Sequence, residues 1–204
     1  MKNVIFLLAG TMFCLMGCTS KTALATYTPV IEEQEKNNIS LKIKEFVDLR
    51  PEGQQIGANR NLYWMPLIKI VTDDSIPDWV TNAFKMELTN AGYSIVDSDF
   101  ENNYLLEGKI IKLFANTHFL YHGRMAVEIS LKKGDAILFQ KLYKTKEDGG
   151  INWMTRDSMC AKTLKYNLQE VCRRAIADVN QHLIETARDP VLPQVNADSE
   201  AEKS

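Results

Sequence analysis

A strand-rich block in the second half of the chain most strongly limits what this sequence can fold into. Phe119–Lys132 alternates between apolar and polar side chains, which is the period of a half-buried strand. Tyr104–Ala115 is extended in the same way. Gly134 and Asp135 form a hairpin turn signal, and Ala136–Lys146 returns after it. The block therefore predicts a three-stranded meander.

A long amphipathic helix follows this block, from about Ser158 to Thr186. Its apolar side chains recur at helical spacing, at Leu164, Leu168, Val171, Cys172, Ala175, Val179 and Leu183. A helix of ~29 residues is ~43 Å long, which is comparable with a ~14-residue strand at ~3.3 Å per residue. One helix can thus lie along the full length of the sheet.

A shorter helix precedes the meander. Asp74 or Ser75 can cap its start, Pro77 suits its first turn, and Gly92 is placed to end it. A short strand is predicted directly after it, at Tyr93–Asp97. Because Gly92 stands between helix and strand, we expect a positive φ there.

The first part of the domain contains further extended segments. ISLKIKEFVDLR predicts a strand, whose buried face would carry Ile39, Leu41, Ile43, Val47 and Leu49. PEGQQIGANRN at 51–61 predicts a loop, and LYWMPLIKIV at 62–71 a second strand with an irregular start. Ala25–Val30 could add a short strand. This order predicts an α+β fold, with a mixed or antiparallel sheet of about five to six strands and two helices packed on one face.

The N-terminus carries a positive charge and then an apolar run. Lys2 precedes Val4–Met16, which is shorter than the ~20 residues that span a bilayer but matches the ~7–15 of a signal-peptide core. The run ends in LMGC at 15–18, which resembles the lipobox of bacterial lipoproteins. That resemblance implies that Cys18 becomes the first residue of the mature chain and carries the lipid. The alternative is an ordinary secretory signal that happens to contain a cysteine.

The lipobox resemblance also implies a domain organisation and a location. We expect a signal peptide at 1–17, a lipid-anchored tether at 18–37, a single α+β periplasmic domain at 38–187 and a disordered tail at 188–204. Residue 19 is Thr, whereas an Asp there favours inner-membrane retention in enterobacterial lipoproteins. The resemblance therefore implies the outer membrane, with the domain facing the periplasm.

Two further cysteines, Cys160 and Cys172, remain in the predicted domain. If both lie on one helix, twelve residues separate them by ~18 Å, and a disulfide needs Cα atoms within about 7 Å. A bridge would require the helix to begin after Cys160. We therefore predict two free thiols.

Side chains suited to catalysis or metal binding are scattered along the sequence. The net charge of −2 indicates no basic field for a nucleic acid. His118 and His122 would lie ~13 Å apart on an extended segment, too far to share one ion. No serine lies in a nucleophile-elbow motif. We therefore expect no cofactor, no metal site and no enzymatic activity.

Four residues are the candidates for a functional surface. Asp48 and Arg50 lie beside the glycine-containing loop, where they could form a ligand-binding rim. Alternatively, Asp48 accepts hydrogen bonds from loop amides and Arg50 pairs nearby. Trp64 and Trp153 fall in loop-like segments, where an exposed aromatic side chain can serve an interface or pack beside the core. Both pairs of alternatives stay open at this point.

The segments LKIKEFVDLRPEGQQIG, AGYSIVD and YLLEGKI together are similar to the YajG-type family of Gram-negative lipoproteins. The matching positions are Asp48, Arg50, Ile56, Gly57, Gly92, Tyr93 and Val96. The pattern also resembles curli-secretion, penicillin-binding-protein-activating and transporter-auxiliary lipoproteins. The resemblance implies a lipid-anchored module that docks or assembles envelope proteins, with the membrane and an envelope protein as partners. The alternative is a lipid- or ligand-handling accessory of an envelope transporter.

Overall fold

The computed structural model describes residues 18–61, 63, 65–97, 104–117, 120–149 and 156–188. The strands are β1 Cys18–Lys21, β2 Ser40–Ile43, β3 Val47–Asp48, β4 Gln55–Arg60, β5 Pro66–Val71, β6 Ser94–Ile95, β7 Tyr104–Thr117, β8 Tyr121–Lys133 and β9 Ala136–Gly149, and the helices are α1 Ile76–Asn90 and α2 Arg156–Arg188. All nine strands belong to one mixed sheet. The predicted number of five to six strands was therefore too low. The predicted signal peptide and all but the first residue of the predicted tail lie outside the described residues.

The predicted meander is confirmed, and its three strands are the longest of the sheet. β8 pairs antiparallel with β7 on one side and with β9 on the other, from end to end of each strand. Gly134 has φ of +56° in the turn between β8 and β9. Along β7 the side chains of Leu106 and Ile110 are buried, whereas Lys109 is exposed. One face of the meander is therefore covered and the other meets solvent.

The short strands extend the sheet on the other side of β7. β2 and β3 pair parallel with the first half of β7, and β4 pairs parallel with its last residues. β5 and then β1 continue outward from β4, so β1 is an edge strand. β6 pairs with β2.

Both helices pack against the sheet and against each other, which places them on one face of it. Ser75 caps α1, because its hydroxyl accepts a hydrogen bond from the backbone N–H of Asp78 at 3.3 Å. Gly92 follows α1 with φ of +88°, as expected. α2 contacts β7, β8 and β9 and buries its predicted stripe, including Leu164 and Val179. Within the described part of the chain, neither helix has a stretch apolar and long enough to span a bilayer.

The predicted burial of Val47 and Leu49 was wrong, since both are exposed and Phe46 is buried in their place. Ile43 is opposite Leu106 of β7, but Val47 is opposite Lys109. Ile43 and Val47 are therefore four residues apart, whereas their partners on β7 are three residues apart. One extra residue reverses the face to which the following side chains point.

Two further predictions about the N-terminal half were wrong. The segment 51–61, predicted as a loop, contains β4, which pairs with a strand on each side. Its Gly57 lies so close to α2 that an added Cβ would be 3.0 Å from Sγ of Cys160. Ala25–Val30 forms no strand, because the chain leaves the sheet after Thr22, whose N–H donates to the Val71 carbonyl.

Candidate functional site

Cys18 is the first residue of β1 and lies at the edge of the sheet. Its backbone is opposite Ile68 of β5 in a parallel pairing that continues to Lys21. The thiol is exposed and forms no disulfide. A lipid attached to Cys18 would therefore emerge directly from the edge of the folded sheet.

The segment 18–37, predicted as a tether, also forms hydrogen bonds with helix α1. Glu87 of this helix is fully buried. Its carboxylate accepts hydrogen bonds from the Tyr27 hydroxyl at 2.5 Å and from the backbone N–H groups of Val30 and Ile31 at 2.8 and 2.9 Å. These contacts make the segment part of the domain.

The burial of Glu87 was not predicted from the sequence. This residue falls between Phe84 and Leu88 in the apolar stripe of α1, and a carboxylate in that position requires buried partners. Burial, with Cys172 and Glu87 nearby, raises the pKa of Tyr27. The Tyr27 hydroxyl therefore stays protonated at neutral pH and donates to the carboxylate, which gives Glu87 a structural role.

Asp48 and Arg50 form an ion pair at the end of β3. Nε and Nη2 of Arg50 donate to the two carboxylate oxygens of Asp48 at 2.9 and 2.8 Å. Nη2 also donates to the Gly53 carbonyl at 2.7 Å, and Nη1 donates to the carbonyls of Gln55 at 3.2 Å and Leu113 at 3.1 Å. The Arg50 side chain is 0% exposed.

These five hydrogen bonds use all five donors that a guanidinium group has. Asp48 accepts one more, from the backbone N–H of Arg50 at 3.1 Å. The pair therefore ties the turn after β3 and the start of β4 to β7, and Arg50 has no donor left for a ligand. Of the two interpretations of this pair, the geometry supports the structural one.

Trp64 and Trp153, the two candidate interface residues, lie outside the described residues, and their role stays a prediction. Tyr63 and Met65, on either side of Trp64, are described. Both side chains are exposed.

Cys160 and Cys172 both lie on α2, and both are buried. Neither forms a disulfide, as predicted. Burial is the largest cause that raises the pKa of Cys172. A thiol that is both protonated and inaccessible is a poor nucleophile. Cys172 therefore packs in the core as a small apolar side chain.

His122 lies on the solvent side of the sheet, with Nδ1 2.7 Å from a carboxylate oxygen of Asp148. The hydrogen bond from His122 lowers the pKa of Asp148. His118 lies outside the described residues. In the ranges that are described, no three His, Cys, Asp or Glu side chains converge as metal ligands would.

The side of β7, β8 and β9 opposite the helices is an exposed surface, here named the open face. Ion pairs join neighbouring strands across it, between Glu107 and Lys132 and between Lys109 and Glu128. Its charged side chains are Glu107, Lys109, Lys112, Arg124, Glu128, Lys132, Lys144, Lys146 and Asp148, and Leu142 is exposed among them. The cations outnumber the carboxylates two to one, so the open face is basic although the whole chain is slightly acidic.

No model of a known protein family matches the sequence, and no curated protein matches it. Solved structures nevertheless share its fold. A Xanthomonas campestris protein of the family DUF330 superposes with a TM-score of 0.58 at 10% identity, covering 83% of this chain and 99% of that one. A hypothetical protein from Chlamydia trachomatis superposes with a TM-score of 0.50 at 7% identity, covering 73% and 99%. Likeness at this identity shows the fold alone.

Proposed function

We propose that this protein is a lipoprotein of the bacterial envelope, anchored by lipid on Cys18, that docks a partner protein. The observation that carries the anchor is the position of Cys18. It follows the apolar run Val4–Met16 after one residue, Gly17, in a lipobox-like sequence, and its thiol is exposed. Two or three acyl chains on such a residue would make release from the membrane negligible.

The outer membrane is the proposed location, with the domain in the periplasm. The support is Thr19, which replaces the Asp typical of enterobacterial lipoproteins that stay in the inner membrane. The YajG-type resemblance of the Asp48–Gly57 segment supports the same location. We propose no enzymatic role. Arg50 is the most conspicuous candidate for a catalytic residue, but all its side-chain N–H groups donate hydrogen bonds within the protein.

Metabolic labelling with palmitate tests the anchor. Cys18→Ser should abolish incorporation, because a hydroxyl cannot form the thioether. Cys160→Ser and Cys172→Ser are the matched controls and should keep the label, since both thiols are buried in the domain. Continued labelling of the Cys18→Ser protein would show that the lipid is attached to another residue.

The open face is the proposed docking surface for the partner protein. A sheet covered by helices on one side only leaves its other side available for contact, and this side has a basic surplus with Leu142 exposed. An acidic surface on the partner would complement it, and such complementarity mainly contributes association rate and specificity.

Site-specific photocrosslinking in living cells tests the docking. A crosslinker at Leu142 should capture a discrete partner, whereas one at Tyr166, exposed on α2, should capture none. Capture from Tyr166 alone would place the interface on the helices. A lipid bound to the purified domain in native mass spectrometry would instead favour the accessory of an envelope transporter.

A further inference from the structure

Cys18 and the turn between β4 and β5 lie at the same end of the sheet. Thr117, the last residue of β7, is opposite Asn59 of β4. Asn59 is opposite Ile68 of β5, and Ile68 is opposite Cys18. Cys18 is therefore level with the end of β7, where β4 also ends and β5 begins.

The direction of β1 also places the backbone amine of Cys18 on the side of this turn. β1 runs parallel to β5, so the amine with which the mature chain would begin faces the start of β5. Ile68, opposite Cys18, is three residues from Met65, a distance of ~10 Å along an extended chain. Lipid on Cys18 would thus leave the domain next to this turn.

Large apolar side chains project into solvent at this position. Tyr63 is 82% exposed, Met65 56% and Leu67 53%. The side-chain oxygen of Asn61 accepts hydrogen bonds from the backbone N–H groups of Tyr63 at 2.9 Å and Met65 at 3.0 Å, which hold these two residues in place. Single exposed apolar residues are common on protein surfaces, but these three all lie within five residues of Ile68, which is opposite Cys18. Cys18, Tyr63, Met65 and Leu67 are here named the anchor corner.

The charges around the anchor corner suit a lipid surface. No Asp or Glu occurs from Gly53 to Thr72, a stretch that contains the cations Arg60 and Lys69. Lys69 is opposite Thr19 of β1 and is exposed. Basic side chains next to apolar ones match the boundary between headgroups and acyl chains in an anionic leaflet.

We propose that the anchor corner enters the lipid headgroup region, so that the lipid on Cys18 and the side chains of Tyr63, Met65 and Leu67 insert into the same leaflet. The β1 edge of the sheet then rests on the membrane, and the domain has a fixed orientation. This inference rests on the proposed lipid anchor at Cys18, which supplies the membrane as the occupant of this surface.

Fluorescence of the full-length lipidated protein in vesicles tests the orientation. The protein would be purified from cells in detergent and transferred to vesicles of phosphatidylethanolamine and phosphatidylglycerol. Met65→Cys would carry a nitrobenzoxadiazole label, which responds to polarity. Cys160 and Cys172 are buried and should not react in the folded protein. Ile137→Cys is the matched control, because Ile137 is also exposed but is opposite Lys132, which faces Leu105 at the other end of β7.

We expect a blue shift at position 65 with loss of fluorescence to lipids that carry a doxyl quencher, and neither change at position 137. An aqueous spectrum at position 65 would overturn the inference. A blue shift without quenching by lipid would also overturn it, because a protein surface would then cover the corner. Palmitate content is measured on the same sample. Lack of palmitate overturns the lipid anchor and this inference together, whereas palmitate with an aqueous label at 65 overturns this inference alone.

Discussion

At the scale of single residues, the conspicuous polar pair of the sequence is a part of the scaffold. Asp48 and Arg50 could be selected from the sequence because they lie at the end of a predicted strand and directly before a glycine-containing loop. Their partners could not, since the carbonyl of Leu113 is distant in sequence. Only the register between β3, β4 and β7 brings these groups to one guanidinium.

Replacement of Arg50 by lysine should destabilise the domain. An ammonium group has three donors and cannot reach both Asp48 oxygens and three carbonyls, so buried acceptors would lose their partners. We expect a loss of ~2–4 kcal/mol in the free energy of unfolding. Chemical denaturation would measure it, with Arg174→Lys, on the exposed side of α2, as the control. Equal midpoints for Arg50→Lys and wild type would show that the network contributes no stability.

At the scale of elements, the long ones were predictable, whereas two of the short strands, β1 and β4, were not. β7, β8, β9 and both helices have enough residues for a period to be recognised. β4 has a glycine and four polar or small side chains among six residues, so its pattern resembles a loop. It is a strand because neighbours on both sides satisfy its backbone, which local sequence does not encode.

The connection from α1 to β6 depends on glycine at position 92. Its φ is +88°, and an added Cβ would lie 2.4 Å from the carbonyl oxygen of Glu35. The segment that follows β1 thus passes directly over the end of α1, where the Asn37 N–H donates to the Gly92 carbonyl at 2.9 Å. Position 92 therefore requires glycine for two reasons, its positive φ and the lack of space for a Cβ atom.

Alanine at position 92 should therefore destabilise more than alanine at another positive-φ glycine. We expect ~1–3 kcal/mol for Gly92→Ala from strain and collision. Gly134→Ala is the matched control, since its φ is +56° and nothing lies within 4 Å of an added Cβ. Thermal melts of the two variants measure the difference. A Gly92→Ala melt no lower than that of Gly134→Ala would mean that the Glu35 backbone moves away without cost.

At the scale of the whole molecule, the α+β class and the two packed helices follow from element order alone. The extent of the sheet does not, because strands of two to six residues add to β7 through long-range pairing. The local motif alone selected Cys18 as the predicted lipid anchor. It did not reveal that Cys18 belongs to the sheet, since that depends on β5, about fifty residues later in the chain.

Because β1 starts at Cys18, the lipidated protein would have no flexible linker between its lipid and its folded domain. A free tether of twenty residues could reach up to ~70 Å from the bilayer, far enough to search much of the space beside it. Without one, the domain extends no further than its own dimensions, and α2, the longest element, measures ~50 Å. The domain would stay at the membrane surface, and a partner protein would have to diffuse to that surface to bind it.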